Sequence, residues 1–196
     1  MTTTTTPPPA PAAAPPAKVV ALCGSLRAGS HSRMALDVAM EGVKKGGAEV
    51  IVADLSVLPL FDAGPASREH PETVRFKELV KGADGLLFVT PVYHDSYSGV
   101  LKNALDLLLD DLADKVAALV AVGGGRVGQG QALEHLRAVL REMSVWVLPK
   151  QVVIHESAGA FEQNGLPKDR DASTRLLSLG LELVLRCKQL RLPKRR

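Results

Sequence analysis

A chain of 196 residues and 20.8 kDa has room for one domain of ordinary size, and 46% hydrophobic with 23% charged residues is enough to bury a core. Aromatic residues make up 4%, which excludes a platform that stacks several bases and leaves Val, Leu and Ala to build the interior. The formal charge of +3 belongs to the C-terminus: six of the 24 basic residues and no acidic ones fall in 186–196, leaving 18 basic against 21 acidic residues elsewhere, so the body offers no nucleic-acid-binding face.

Residues 1–17 read MTTTTTPPPAPAAAPPA, uncharged and holding six of the 13 prolines, which predicts a disordered tail. The segment lacks the basic start and leucine-type core of a signal peptide. An ordered domain is expected over 18–190, with a basic tail at 191–196. KVVALCG (18–24) reads as a buried strand ending in glycine, and 32–45 as a helix with apolar residues at Met34, Leu36, Val38, Ala39 and Val43. AEVIVADL is a second strand, and LPLFDAGPAS a loop by its prolines and glycine. A helix over 72–81 follows Pro71, a good helix-starting residue. Then come a strand at 84–90, a helix at 98–109, a strand at 115–122 and a helix from about 131 to 143. The fifth strand is expected at 151–154, a loop to about 169, and a last helix at 172–190.

Five short apolar strands separated by helices predict an α/β fold: a three-layer sandwich with one five-stranded parallel sheet and helices on both faces. The flavodoxin-like order 2-1-3-4-5 puts a ligand at the carboxyl ends of the strands, beside the switch point between strands 1 and 3. That singles out three loops, 24–32, 91–99 and 123–130. The longest apolar run, 116–122, is far too short to span a membrane. Cys23 and Cys187 form no CxxC pair, so a reduced, cytoplasmic setting is expected. No His or acidic cluster suggests a metal.

The first loop, GSLRAGSHSR, joins a strand to a helix and carries Ser25, Arg27, Ser30 and Ser32. Any one serine is explained as a helix cap. Three serines and an arginine between two glycines, at the positive end of a helix, favour a phosphate monoester. Gly24 and Gly29 have Walker A spacing, but Ser30-His31 stand where Lys and Ser/Thr are needed, which argues against NTP hydrolysis. A phosphatase loop needs five residues between Cys and Arg, and three separate Cys23 from Arg27, so Cys23 reads as a buried strand residue. The second loop, TPVYHDSYSG, is bounded by proline and can hold a planar heterocycle through its backbone; His94 is otherwise an exposed loop residue. The third, GGGRVG, follows the fourth strand rather than the first, so its formal match to a dinucleotide fingerprint is weak. Its glycines let backbone approach a flat ligand. Arg126 either is exposed or faces a phosphate.

Together, GSLRAGSHSR, TPVYHDSYSGVLKNALDLL and VAVGGGRVGQGQALEHLRAVL resemble the NAD(P)H-dependent FMN reductase family, over residue 18 to about 155. The resemblance implies that Ser25, Arg27, Ser30 and Ser32 bind the FMN phosphate. It implies that Pro91, Val92, Tyr93 and His94 hold the ring and ribityl, and that Gly123, Gly124 and Gly125 border the ring. Many members have Asn where Ser32 stands, and Glu-Tyr-Asn in place of Val92-Tyr93-His94. The implied activity is hydride transfer from NADPH or NADH to non-covalent FMN, then onward transfer to free flavin, a quinone, an azo compound or a metal oxyanion. No catalytic acid or base is assigned. A homodimer or homotetramer is implied, and the Val-Tyr form adds a flavin-dependent monooxygenase as a partner. The rival from another class is a flavodoxin-type electron carrier that binds FMN without oxidising NAD(P)H.

Overall fold

The computed structural model describes residues 15–191. Strand β1 (Ala17–Cys23) leads into helix α1 (His31–Lys45), followed by β2 (Ala48–Ala53), a single turn α2 (Pro65–Arg68) and α3 (Pro71–Lys81). Next are β3 (Gly85–Pro91), α4 (Gly99–Leu108), β4 (Val116–Val122) and α5 (Gln129–Glu142). Two short strands, β5 (Trp146–Val147) and β6 (Val152–Ile154), precede α6 (Arg170–Gln189).

The strands form one parallel sheet of order β2-β1-β3-β4-β5, with β6 also pairing with β4. The expected topology is therefore present; the strand expected at 151–154 is β6, and the two-residue β5 ahead of it is an additional strand. Pro149 lies between them and has no N–H for a ladder. Trp146 and Val147 pair with Val116 and Ala117; Val152 to Ile154 pair with Val120 to Val122. The carbonyls of Leu148 and Pro149, freed from the ladder, accept hydrogen bonds from the Arg137 guanidinium at 2.8 and 3.3 Å.

All seven residues of β3 and of β4 are buried, as central strands covered on both faces must be. Alternation divides the core into two layers. Val19, Ala21 and Cys23 face α1 and α6, while Val20 and Leu22 face α3, α4 and α5. Leu107 and Leu108 are buried in the chain's own interior, while Leu109, just past α4, is 41% exposed. α1 and α6 meet backbone to backbone at two glycines. A Cβ on Gly42 would strike the Leu177 carbonyl, and one on Gly180 would strike that of Ala39.

Helix starts carry local caps. Ser30 accepts from the Arg33 N–H, Ser98 from the Leu101 N–H, and Asp169 from the Asp171 N–H. The expected tail over 1–17 ends earlier than its composition suggests. Ala17 is already a fully buried residue of β1, and Arg191 donates to the Pro16 carbonyl at 2.8 Å while pairing with Asp84 at 3.0 Å. The rest of both expected tails, 1–14 and 192–196, lies outside the described residues.

Candidate functional site

Three loops leave the carboxyl ends of β1, β3 and β4 side by side. The first runs from Gly24 to the cap Ser30. Gly24 donates to the Val89 carbonyl at 2.8 Å, and a side chain there would meet Ser98 Oγ at 2.5 Å, so glycine lets the α4 start press against this loop. Arg27 N–H donates weakly to Ser25 Oγ at 3.4 Å, and the Ser30 N–H to the Arg27 carbonyl at 3.2 Å. Ser30 and Ser32 are buried at the α1 start, next to its unpaired N–H groups.

The base of the second loop is closed by Thr90. Its buried hydroxyl donates to the Pro91 carbonyl at 2.8 Å and accepts from the Ser98 N–H at 3.0 Å. Tyr93 and Ser96 exchange two backbone hydrogen bonds of 3.0 and 3.1 Å around a tight turn. His94 and Asp95 at its tip both have positive φ, 50° and 56°, a conformation that L-residues enter at a cost. The third loop and helix α5 hold this turn in place. Asp95 Oδ1 occupies the space where a side chain of Gly128 would lie, and His135 Nδ1 meets Ser96 Oγ at 3.1 Å.

Gln129, buried at the α5 start, shapes the third loop from inside. Its Nε2 donates to the Gly125 carbonyl at 2.8 Å, and its Oε1 lies 3.0 Å from His155 Nδ1. Backbone N–H groups of Glu156 and Ser157 donate to the carbonyls of Gly125 and Gly123 at 3.1 and 3.0 Å, which brings the β6 exit alongside. Gly128→Ala therefore combines a positive φ of 90° with a collision against Asp95. It is expected to cost about 1–3 kcal/mol, read as a lower melting temperature.

Between the loops lies a cleft of about 290 Å³. Of the residues expected at the site, Ser25, Arg27, Ser30, Ser32, Pro91, Val92, Tyr93 and Gly124 line it together. His94, Gly123 and Gly125 stand behind or beside the wall. His94 is exposed on the turn, Gly123 backs onto Gln129, and Gly125 is exposed, with its carbonyl accepting from Gln129 Nε2 and the Glu156 N–H. Sequence reasoning missed Val122, Ser157 and the wall role of His31. His31 stacks on Phe161 with ring centroids 5.5 Å apart and planes 10° from parallel. The carboxyl-end rule could have flagged Ser157, because it follows β6; no spacing signal pointed to it.

The donor set of the cleft is one-sided. Serine hydroxyls from two segments, one guanidinium and a helix start face it, with no carboxylate among the described residues that line it. Among the described residues Arg27 has no acidic partner. Such a set suits a phosphate, and the wall of Pro91, Val92, Val122 and Gly124 suits a flat ring. Cysteine chemistry is disfavoured: burial pushes the Cys23 thiol up, and that of Cys187 up to about 12, so neither is a thiolate at neutral pH. No group of three or more His, Cys, Asp or Glu residues able to hold a metal is found among the described residues, and no helix there is long and apolar enough to cross a membrane.

The sheet order, with a cleft at the carboxyl ends of β1, β3 and β4, defines a flavodoxin-like α/β protein. The sequence profile of the NADPH-dependent FMN reductases matches residues 17–159, and the chain belongs to that family. It is an oxidoreductase that uses NAD(P)H to reduce FMN and passes the electrons to an acceptor. An NAD(P)H-dependent FMN reductase of Pseudomonas aeruginosa is 38% identical over 154 residues, covering 76% of this chain and 83% of that protein. An NAD(P)H:quinone oxidoreductase of Solanum tuberosum is 35% identical over 176 residues, covering 85% and 90%. The fold also matches the solved structure of FerB, a flavoenzyme NAD(P)H:(acceptor) oxidoreductase from Paracoccus denitrificans. The TM-score is 0.76 at 21% identity, over 88% of this chain and 98% of that one.

Proposed function

We propose that the cleft binds FMN with its phosphate against Ser25, Arg27, Ser30 and Ser32, and its ring between the Pro91–Tyr93 backbone and Gly124. The observation that carries this reading is the lining itself: one cation and several hydroxyls at a helix start, continuous with an apolar wall and free of carboxylates among the described residues. Arg27 supplies charge and the serines supply direction to the phosphate, while the α1 start adds oriented N–H groups. The bound flavin supplies the hydride-accepting and electron-releasing chemistry. The protein's part is to fix one ring face against backbone and leave the other open to the nicotinamide and then to the acceptor. No side chain is assigned proton transfer.

Among the described residues no atom lies within 4 Å of a Cβ built on Gly124, which lines the cleft, so there is room for a ligand beside it. Gly124→Val is expected to leave the melting temperature of the apoprotein unchanged and to weaken FMN binding measurably in a fluorescence titration. Equal affinity in the variant would move the ring away from this loop.

Quinones are the acceptor class this reading favours, supported by the potato relative with 90% of its length covered. A flavin-dependent monooxygenase is the alternative recipient of reduced flavin. Assembly as a homodimer or homotetramer is part of the proposal. Leu60 is 83% exposed yet rigidly presented, because Asn103 bonds both Pro59 and Phe61 around it. Buried free thiols accord with a cytoplasmic setting.

The test is to load the protein with FMN, remove free flavin, and add NADPH or NADH without oxygen. The flavin's visible absorbance should bleach and return when a quinone is added. Tight FMN binding with no bleaching by either nucleotide would instead identify an electron carrier.

A further inference from the structure

The first loop has two sides. One borders the flavin cleft. The other borders a second cleft of about 480 Å³, between this loop and the carboxyl end of β2. Ser25 and Arg27 border both clefts, so Arg27 stands between them. Leu26 is 57% exposed and belongs to the second cleft alone, where it faces an apolar wall that includes Val52 and Leu55. Nothing in the flavin reading uses this exposed leucine.

Polar groups at the rim are of both signs. Arg33 shares its Nε with Asp37 at 2.9 Å, and its terminal nitrogens have no partner among the described residues. Across the cleft, Asp54 Oδ1 accepts from the N–H and hydroxyl of Ser56 at 2.9 and 2.6 Å. Those bonds hold its carboxyl below the usual range, and Oδ2 has no hydrogen-bond partner among the described residues. An aliphatic wall, two guanidiniums and one free carboxylate oxygen suit a base, a phosphate and a hydroxyl-bearing sugar.

Topology gives this arrangement a direction. Strand β1 has β3 on one side and β2 on the other, and the flavin cleft is on the β3 side. Dinucleotide-binding sheets place phosphate at the loop after the first strand and an acidic residue near the next strand's end on the adenosine ribose. Asp54 directly follows β2. A hydride donor that reaches the flavin brings an adenosine diphosphate at its other end. We propose that the second cleft takes the adenosine-phosphate half of the nicotinamide dinucleotide, with adenine on Leu26, ribose hydroxyls donating to Asp54, and phosphate on Arg27 and Arg33. The proposal rests on the flavin reading of the first cleft.

The test is calorimetric titration of the FMN-loaded protein with 5′-ADP and with 2′,5′-ADP, neither of which carries a nicotinamide. At least one should bind without releasing FMN. The tighter of the two names the dinucleotide, unphosphorylated or phosphorylated. In Arg33→Gln and Leu26→Ser that affinity should fall about tenfold for each lost contact, while FMN affinity stays the same. The KM for the dinucleotide should rise in parallel at unchanged kcat. Release of FMN by ADP, no ADP binding, or equal ADP affinity in wild type and both variants would overturn the proposal. Failure of the flavin reading looks different: NADPH and NADH would leave the bound FMN unbleached, whatever ADP does.

Discussion

Gly180→Val is expected to destabilise the fold at the upper end of core overpacking, about 3 kcal/mol. At Gly180 the first atom a Cβ would meet is the Ala39 carbonyl, with Val43 N at 2.8 Å and Gly42 C at 3.0 Å. All three are helix backbone of α1, which has no rotamer to yield. Gly42 presses on the Leu177 backbone from the opposite side, so relief at one glycine tightens the other. The helices would have to separate and open the layer formed by Leu36, Val43, Leu176 and Leu183. For a chain of this size the melting temperature should fall by roughly 6–12 °C. Gly130→Ala is the matched control, because a Cβ there meets nothing within 4 Å and Gly costs helix stability. It should be neutral or mildly stabilising. An unchanged melting temperature in Gly180→Val would mean that α1 and α6 do not pack as described.

Central features of the fold were legible because their signals are local. β3 and β4 are apolar on both faces, so continuous runs located them to within a residue or two. α3 was marked by Pro71 at its first position, and α1 by the serines before it. The additional strand β5 was not legible, since Trp146 and Val147 are too short a run to show a strand pattern. Nor was the glycine contact between α1 and α6, because a helical glycine looks the same whether it faces solvent or a backbone. Among the expected cleft residues, the first loop was read best: cap, guanidinium and hydroxyls are consecutive in the chain. His94, expected at the ring, sits exposed at the turn tip beside the cleft, with a positive φ that no residue pattern signals. Ser157 reaches the wall only through backbone bonds to Gly123, which no sequence pattern encodes.

Arg27 carries the central claim. Its guanidinium lines the cleft with Ser25, Ser30 and Ser32, and among the described residues it has no carboxylate partner to release before it meets an anion. A hydrogen bond to a charged group contributes about 1.5–3 kcal/mol, and each 1.4 kcal/mol is about tenfold in affinity. Arg27→Ala should therefore weaken FMN binding roughly ten- to a hundredfold, with the fold intact because the side chain is exposed. Riboflavin lacks the phosphate and cannot use this contact. The decisive measurement is a titration of wild type and Arg27→Ala with both flavins. The account predicts a large loss for FMN and nearly equal riboflavin affinities in the two proteins. Equal losses for FMN and riboflavin, or unchanged FMN affinity, would contradict a phosphate bound at the β1–α1 loop.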